Sequence, residues 1–222
     1  MVTRVLALDA ACARCSAAVV VDGHAIAERQ ADTAKGHAAL LPEMARGVLV
    51  DAGVAAASLA LVAVTVGPGS FTGLRAALAL AQGIATAAGA TLVAVTVGES
   101  FAEALPPLGS RALWSAIDSR RGRVFLERAG TIAAVALDAL PDPAGPVAVA
   151  GDRATDVAAR LAARGANVML TNVRLPAARH VALAALRRLA DHRPPRDAQP
   201  IYVDPPEARP PAGGLRPAPQ GV

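Results

Sequence analysis

The sequence predicts an α/β protein in two parts, and three stretches carry that prediction. First, three strand-like runs follow one another before any helix: Val5-Leu6-Ala7-Leu8-Asp9, Ser16 to Val21 and Ala25 to Ala31. The last two are joined through Asp22-Gly23, a dipeptide that tight hairpin turns prefer. Second, GPGSFTGLR, residues 67–75, stands between an apolar run and an alanine-rich segment of helical period. Third, Leu105-Pro106-Pro107-Leu108-Gly109 breaks the alternation, and the domain boundary is placed there.

Each element has a local reason. His37 to Val50 reads as a helix because Leu40, Leu41, Met44 and Val48 make one apolar stripe. Pro42 is tolerated only in its first turn, and Gly53 is its stop. Leu59 to Val66 is the fourth strand. The second helix runs from Phe71 to Ala88, with Ser70 as N-cap and Gly89 closing it. Thr91 to Val97 is a fifth strand and Glu99 to Leu105 a short helix, so the first hundred residues read βββαβαβα. A Rossmann start is excluded, because it goes from its first strand through a glycine turn directly into a helix. Beyond the break, Ala112 to Ile117 and Arg123 to Glu127 read as strands joined by Asp118-Ser119-Arg120-Arg121-Gly122. Residues 141–146 are a loop, Val147 to Ala150 a strand, and Ala154 to Ala163 and His180 to His192 helices.

Composition narrows the function classes. No apolar run approaches the ~20 residues of a membrane span, and no signal-peptide core is present, so the chain is read as cytoplasmic. A net charge of +4 over 222 residues is a weak nucleic-acid signal, and aromatics at 2% leave few rings to stack on bases. Direct sequence-specific reading of RNA is set aside on that count. Cys12 and Cys15 form a C-x-x-C without a second ligand pair, and read as two small residues in a hairpin rather than a zinc site. His24, His37, His180 and His192 are nowhere three to five residues apart, which excludes a helical two-histidine metal site.

The nonapeptide admits two readings. Gly67, Gly69, Ser70 and Gly73 at a helix N-terminus are the ingredients of a phosphate cradle, although no G-K-[ST] ending makes it a P-loop. Alternatively, the glycines make a strand-to-helix turn with a serine cap. Arg75 lies in the first helical turn, where a cation opposes the helix dipole, so a carboxylate or phosphate partner is expected for it.

GPGSFTGLR closely resembles the signature of the bacterial TsaB (YeaZ) family, partners in making threonylcarbamoyladenosine beside the tRNA anticodon. Val5-Leu6-Ala7-Leu8-Asp9 is similar to that family's opening strand. GHAALLPEM (36–44) resembles its H-S-x-x-L-L-P helix, with Ala38 where serine is usual. AIDSRRGRVFLE (116–127) resembles its D-A-R-x-G-E-V-Y hairpin, and PIYV (200–203) its late P-x-Y-L segment. The chain departs from the pattern at Ala10-Ala11, where the family has two hydroxyl residues, and in a shorter, proline-richer end.

The resemblance implies an actin-like (ribonuclease H-like) fold of two αβ domains with βββαβα cores. The domains would be residues 1–105 and 106–206, the last helix of the second able to pack back on the first, with 207–222 a loosely ordered proline-rich tail. It implies a catalytically inactive partner and activator of TsaD in forming threonylcarbamoyladenosine on tRNAs that read ANN codons. Metal and transfer chemistry would belong to TsaD, and this chain would require no cofactor. Helices 37–50 and 71–88 would pack on the matching helices of TsaD, or on a second copy when TsaD is absent. Leu40, Leu41, Met44, Val48, Leu74, Leu78 and Ala81 are the candidate interface residues. TsaE is a further component, and tRNA is met only through the complex. Asp9 would lie at a first phosphate loop, which makes Asp9, Gly67, Gly69, Ser70, Gly73 and Arg75 the candidate nucleotide or phosphate set. ATP or ADP is then a candidate ligand of the chain or of the complex interface, and the absent hydroxyls at Ala10 and Ala11 count against the former. The alternatives are a stand-alone actin-like ATPase or phosphotransferase, and a glycopeptidase, against which the histidine spacing stands. His37 is expected to cap or pack. The Arg120 to Arg123 run is expected to be a solvated hairpin tip, with tRNA phosphates as its alternative partner.

Overall fold

β1 (Arg4–Asp9) is the strand around which the first half of the chain assembles, and in this computed structural model Val5 to Asp9 are all buried. Residues 2–33 and 35–203 are described; the expected proline-rich tail at 207–222, like 204–206, lies outside them. β1 pairs antiparallel with β2 (Arg14–Val21), and β2 with β3 (His24–Asp32). Asp22 and Gly23 have φ of 49° and 82°, the two left-handed positions that their hairpin turn demands. On its other edge β1 pairs parallel with β4 (Leu61–Thr65), and β4 with β5 (Thr91–Val95), giving the order β3-β2-β1-β4-β5.

Strand alternation then sorts the side chains onto two faces. Leu6, Leu8, Val62 and Val64 meet α1 (His37–Asp51) and α2 (Phe71–Ala88), which lie side by side on one face. Val5, Ala7, Leu61 and Ala63 meet α5 (Ala178–Ala190), contributed from the far end of the chain. Its first turn is capped across the molecule: the Ser16 hydroxyl on β2 accepts the Ala178 amide at 3.0 Å.

The second sheet has the order β10-β9-β6-β7-β8, which repeats the first with β6 (Ala112–Asp118) in the place of β1. β7 (Val124–Arg128), β8 (Thr131–Val135), β9 (Val147–Ala150) and β10 (Val168–Leu170) complete it, and α4 (Ala154–Ala163) covers one face. The actin-like class is thus borne out, with one shortening. Between β8 and β9 the second half has a single 3-10 turn, Leu137–Ala139, where the first half has α1. Pro141, Pro143 and Pro146 in this stretch lack the amide a helix needs.

The halves meet through α3 (Val97–Ala104). Val97 and Phe101 pack with Leu74 and Cys12 of the first half and Ile117 and Ala150 of the second, and fully burying a side chain such as Phe101 is worth ~1.5–3 kcal/mol. Beside them the buried Glu127 accepts the Thr96 hydroxyl at 2.5 Å and the Gly98 amide at 2.9 Å. A Cβ on Gly98 would stand 2.5 Å from that carboxyl and would have to displace it from these hydrogen bonds. Burial pushes the Glu127 carboxyl up, against the Thr96 hydrogen bond.

After α5 the chain returns across the first half. Burial raises the Glu99 carboxyl, but hydrogen bonds from Arg196, the Thr96 amide and Arg188 overcome it and hold the group below its ordinary range. Gln82 of α2 then donates to the Ala198 carbonyl at 3.1 Å, and the Ile201 amide donates to Val66 at 2.8 Å.

Several element bounds differ from the sequence reading. α3 starts at Val97, two residues early, because Thr96 and Glu99 form a capping box. Pro42 sits in the second turn of α1, not its first. It is tolerated there because Ala38, whose carbonyl it cannot bond, is exposed and keeps water as a partner. β8 and β10 have no counterpart in the sequence reading.

Candidate functional site

GPGSFTGLR runs from the end of β4 into α2 and fixes that helix by backbone packing. Ser70 is the N-cap, its hydroxyl accepting the Gly73 amide at 3.3 Å. Its own amide donates to the Ala11 carbonyl at 2.7 Å. A Cβ on Gly69 would stand 2.1 Å from the Ala11 oxygen, and one on Gly73 2.1 Å from the Ala10 oxygen. These two glycines therefore let the turn after β1 press directly on the first turn of α2. Gly67 has a φ of 116°, and its carbonyl accepts the Val97 amide at 2.9 Å, tying the same loop to α3.

Beneath this junction lies Asp9, with no exposed surface. One carboxylate oxygen accepts the Thr65 hydroxyl at 2.5 Å and the Ala11 amide at 3.3 Å. The other meets no partner among the described residues. Burial pushes the carboxyl up to about 6, against the Thr65 and Ala11 hydrogen bonds and the charges of His37 and Arg14. Asp9, expected at a first phosphate loop, is thus buried beneath a turn on which the start of α2 packs. His37 joins the same cluster from the start of α1. Its Nε2–H donates to the Thr33 carbonyl at 2.7 Å, and its Nδ1 lies 3.0 Å from the Cβ position of Gly73. The signature residues of three separate stretches therefore meet in one place, where they lock the N-termini of α1 and α2 together.

The loop of the second half that comes nearest to a phosphate site is used in a similar way. Gly151, at φ 114°, packs on the Ala116 carbonyl, and the Asp152 carboxylate accepts the Asp118 amide at 2.8 Å.

Arg75 does not pair with a carboxylate among the described residues, contrary to expectation. Its guanidinium lies 3.2 Å from the centre of the Phe71 ring and 5.2 Å from that of Tyr202. It donates to the Phe71 carbonyl at 3.2 Å and to the Tyr202 hydroxyl. Ring faces and carbonyl supply the negative potential that an acid would have supplied.

The seven interface candidates divide sharply. Leu41, Val48, Leu74, Leu78 and Ala81 are buried in the chain's own core, which corrects their assignment to a partner face. Each helix turns its larger apolar side chains to the sheet, where most area is removed from water. Leu40 remains 39% exposed, and Met44 is half-buried beside the Cys15 thiol, whose burial raises it to about 11. The outer surface of the pair carries instead exposed small and apolar positions, among them Leu40 and Val50 on α1 and Ala79, Gly83 and Ala87 on α2, alongside polar ones such as Glu43, Arg46 and Gln82.

A cleft of about 620 Å³ opens at the far side of the lock. Its walls are the first turn of α2, the β6–β7 hairpin tip at 118–121, and residues 200–203. Phe125 and Tyr202 line it, and the sequence alone gives neither a role; only the closing of the chain brings them to Phe71 and Arg75.

Comparison with known proteins gives one family. The sequence profile described as TsaD, tRNA N6-adenosine threonylcarbamoyltransferase, matches residues 26–190. Over 123 residues the chain is 32% identical to the tRNA threonylcarbamoyladenosine biosynthesis protein TsaB of Escherichia coli (strain K12), a match covering 55% of this chain and 53% of that protein. The chain thus spans about half the length of that curated relative. Among solved structures, YeaZ from Pseudomonas aeruginosa superposes with a TM-score of 0.75 at 28% identity, over 90% of this chain and 99% of that one. A protein described as similar to the peptidase YEAZ from Pseudomonas aeruginosa gives 0.77 at 27% identity, over 91% and 100%.

Proposed function

This chain belongs to the TsaD family of tRNA N6-adenosine threonylcarbamoyltransferases, and we propose that within it the chain acts as a partner that carries no transfer chemistry of its own. In this reading it binds and activates a catalytic TsaD in making threonylcarbamoyladenosine on tRNAs that read ANN codons, in the cytoplasm. TsaE is a further component, and tRNA is met through the assembled complex. Without TsaD the same surface joins two copies of this chain.

The observation that supports the reading is the lock at the signature residues. Asp9 and Thr65 bond each other, Ser70 caps α2 through Gly73, and His37 at the start of α1 packs against Gly73 in the first turn of α2. Among what those helices present outward is a strip of small residues on α2, Ala79, Gly83 and Ala87, and the exposed apolar side chains Leu40 and Val50 on α1. Small side chains let a second helix pair approach closely, and the apolar border gives area to bury.

Light scattering of this chain mixed with the TsaD of the same organism tests the proposal. A heterodimer is expected. Ala79→Arg, at an exposed position, is expected to weaken it by about a hundredfold, since a charge buried without a partner costs about 3 kcal/mol or more. Circular dichroism of the variant should be unchanged. Absence of association by the native chain would reject the proposal, and association indifferent to Ala79→Arg would move the interface off these helices.

A further inference from the structure

One buried carboxylate belongs to the second half of the molecule and is bonded to the first. Glu127 stands on β7 and is 7% exposed, and both its oxygens are given to the start of α3. Thr96, the N-cap of α3, carries the contact further. Its hydroxyl, which donates to Glu127, also accepts the Glu99 amide at 3.0 Å, and its own amide donates to the Glu99 carboxylate at 2.7 Å. That carboxylate is in turn held by Arg188 of α5 at 2.6 Å and by Arg196 of the returning segment. Arg188 donates onward to the Pro194 carbonyl at 2.7 Å, and Arg196 reaches the Ala94 carbonyl on β5 at 3.4 Å. An unbroken chain of polar contacts thus runs from the second half, through the cap of α3, to the segment that crosses the first half. Arg196 also favours the ionised form of Glu127 through space, and Glu99 opposes it.

Glu127 has a second partner within reach. Ser115 of β6 pairs directly across from it. Leu113 and Ile117, two residues to either side, pack in the core that holds α3, so strand alternation turns the Ser115 side chain to the face where Glu127 lies. Residues paired in this way have Cβ atoms about 4.5–5.5 Å apart. Yet the Ser115 hydroxyl, 1% exposed, meets no partner among the described residues. A hydroxyl sealed away from water is costly to leave unbonded, and a turn of the Glu127 side chain away from α3 supplies its acceptor.

We infer that Glu127 is a two-position latch between the halves. Bonded to Thr96 and Gly98, it fixes α3 to the second half and, through Glu99, clasps residues 193–203 across the first. Turned to Ser115, it lets go of Thr96 and Gly98, water takes their freed donors, and the joint and the strap loosen together. One set of hydrogen bonds is exchanged for another, which makes the latch a bistable element rather than a fixed weld. The strap ends at residues 200–203, one wall of the cleft, so the latch also governs how firmly that wall is held. The inference does not rest on the partner reading.

Limited trypsin digestion of the full chain tests it, because the bond after Arg196 is shielded while that residue is clasped by Glu99. Mass spectrometry gives the rate of this cut relative to the cut after Arg164, an exposed residue of the second half outside the network. Glu127→Gln keeps the shape and removes the charge, and should raise the relative rate about tenfold, the effect of one charge-assisted hydrogen bond. Ser115→Ala removes the second position and leaves the first untouched, and should lower it about tenfold. Glu99→Gln releases the strap directly, so adding Glu127→Gln to it should bring no further gain. A relative rate unchanged by Glu127→Gln overturns the inference, as does a gain that multiplies with that of Glu99→Gln. Where Glu127→Gln does not fold, Ser115→Ala decides alone: a slower cut upholds the latch, and an unchanged one overturns it.

Discussion

A carboxylate with one oxygen left over, sealed in a core, is an unusual residue for a chain to carry at neutral pH. Asp9 is held up at about 6 by burial, whereas an unfolded aspartate titrates near 3.9. Between those values the folded chain keeps a proton that the unfolded chain has released. Stability therefore falls as pH rises through this window, and above it the charged, buried Asp9 costs about 3 kcal/mol. Asp9→Asn keeps an acceptor for Thr65 and Ala11 without the charge. Urea unfolding is expected to find it more stable than the native chain at about pH 7.5 and level with it near about pH 4. A difference that ignores pH would contradict this account. Among single residues, the serine cap was legible because capping is local: Ser70 needs only the helix that follows. Phe71 also lies four residues before Arg75, within reach of helical spacing, but the burial of Asp9 and the contact of Arg75 with Tyr202 were not legible. They depend on Ala10, Ala11 and Tyr202, which no spacing rule connects to them.

Elements show the same division. α2, α4 and β9 were legible to the residue, since a capping residue or glycine, a period and a stop signal each lie within the segment. β8 and β10 were not, because Thr131–Val135 and Val168–Leu170 alternate weakly and become strands by pairing with β7 and β9. The side of α2 that faces the sheet was also hidden, since alanine occupies much of both sides. Two glycines of that helix now make a paired test. Gly83 has nothing within 4 Å of its Cβ position, so Gly83→Ala should stabilise the isolated chain by up to ~1 kcal/mol through helix propensity. Gly73→Ala gains the same propensity but drives a carbon to 2.1 Å from the Ala10 backbone oxygen. It is expected to lose about 2 kcal/mol net, a fall of about 4–8 °C in Tm. Thermal unfolding of the two variants should move in opposite directions. A rise in both would mean that the lock between α2 and the turn after β1 does not constrain the helix.

At the scale of the whole molecule, two sheets of one strand order are joined through α3 and crossed by the returning C-terminal segment. The doubling of the fold was legible only through family resemblance, because the halves share topology and no visible repeat. The cleft was legible only in part: its walls are the stretches at 67–75, 116–127 and 200–203 that carry the resemblance, but whole elements separate Phe71, Phe125 and Tyr202, and nothing local brings them together. One arrangement has a further consequence for how the protein is made. The first sheet is complete in sequence at Val95, yet the face formed by Val5, Ala7, Leu61 and Ala63 waits for α5, which begins at Ala178. A ribosome therefore delivers one half with a bare apolar flank and must deliver nearly all of the other before that flank is covered. Residues 1–105 expressed alone are expected to aggregate or bind a hydrophobic dye, and co-expression of 106–203 as a separate chain should restore a protease-resistant complex. A soluble, cooperative 1–105 fragment would show that the flank can close without its helix. Otherwise the nascent chain is a natural client for chaperones during most of its synthesis, and its last helix is the keystone set after the arch is already standing.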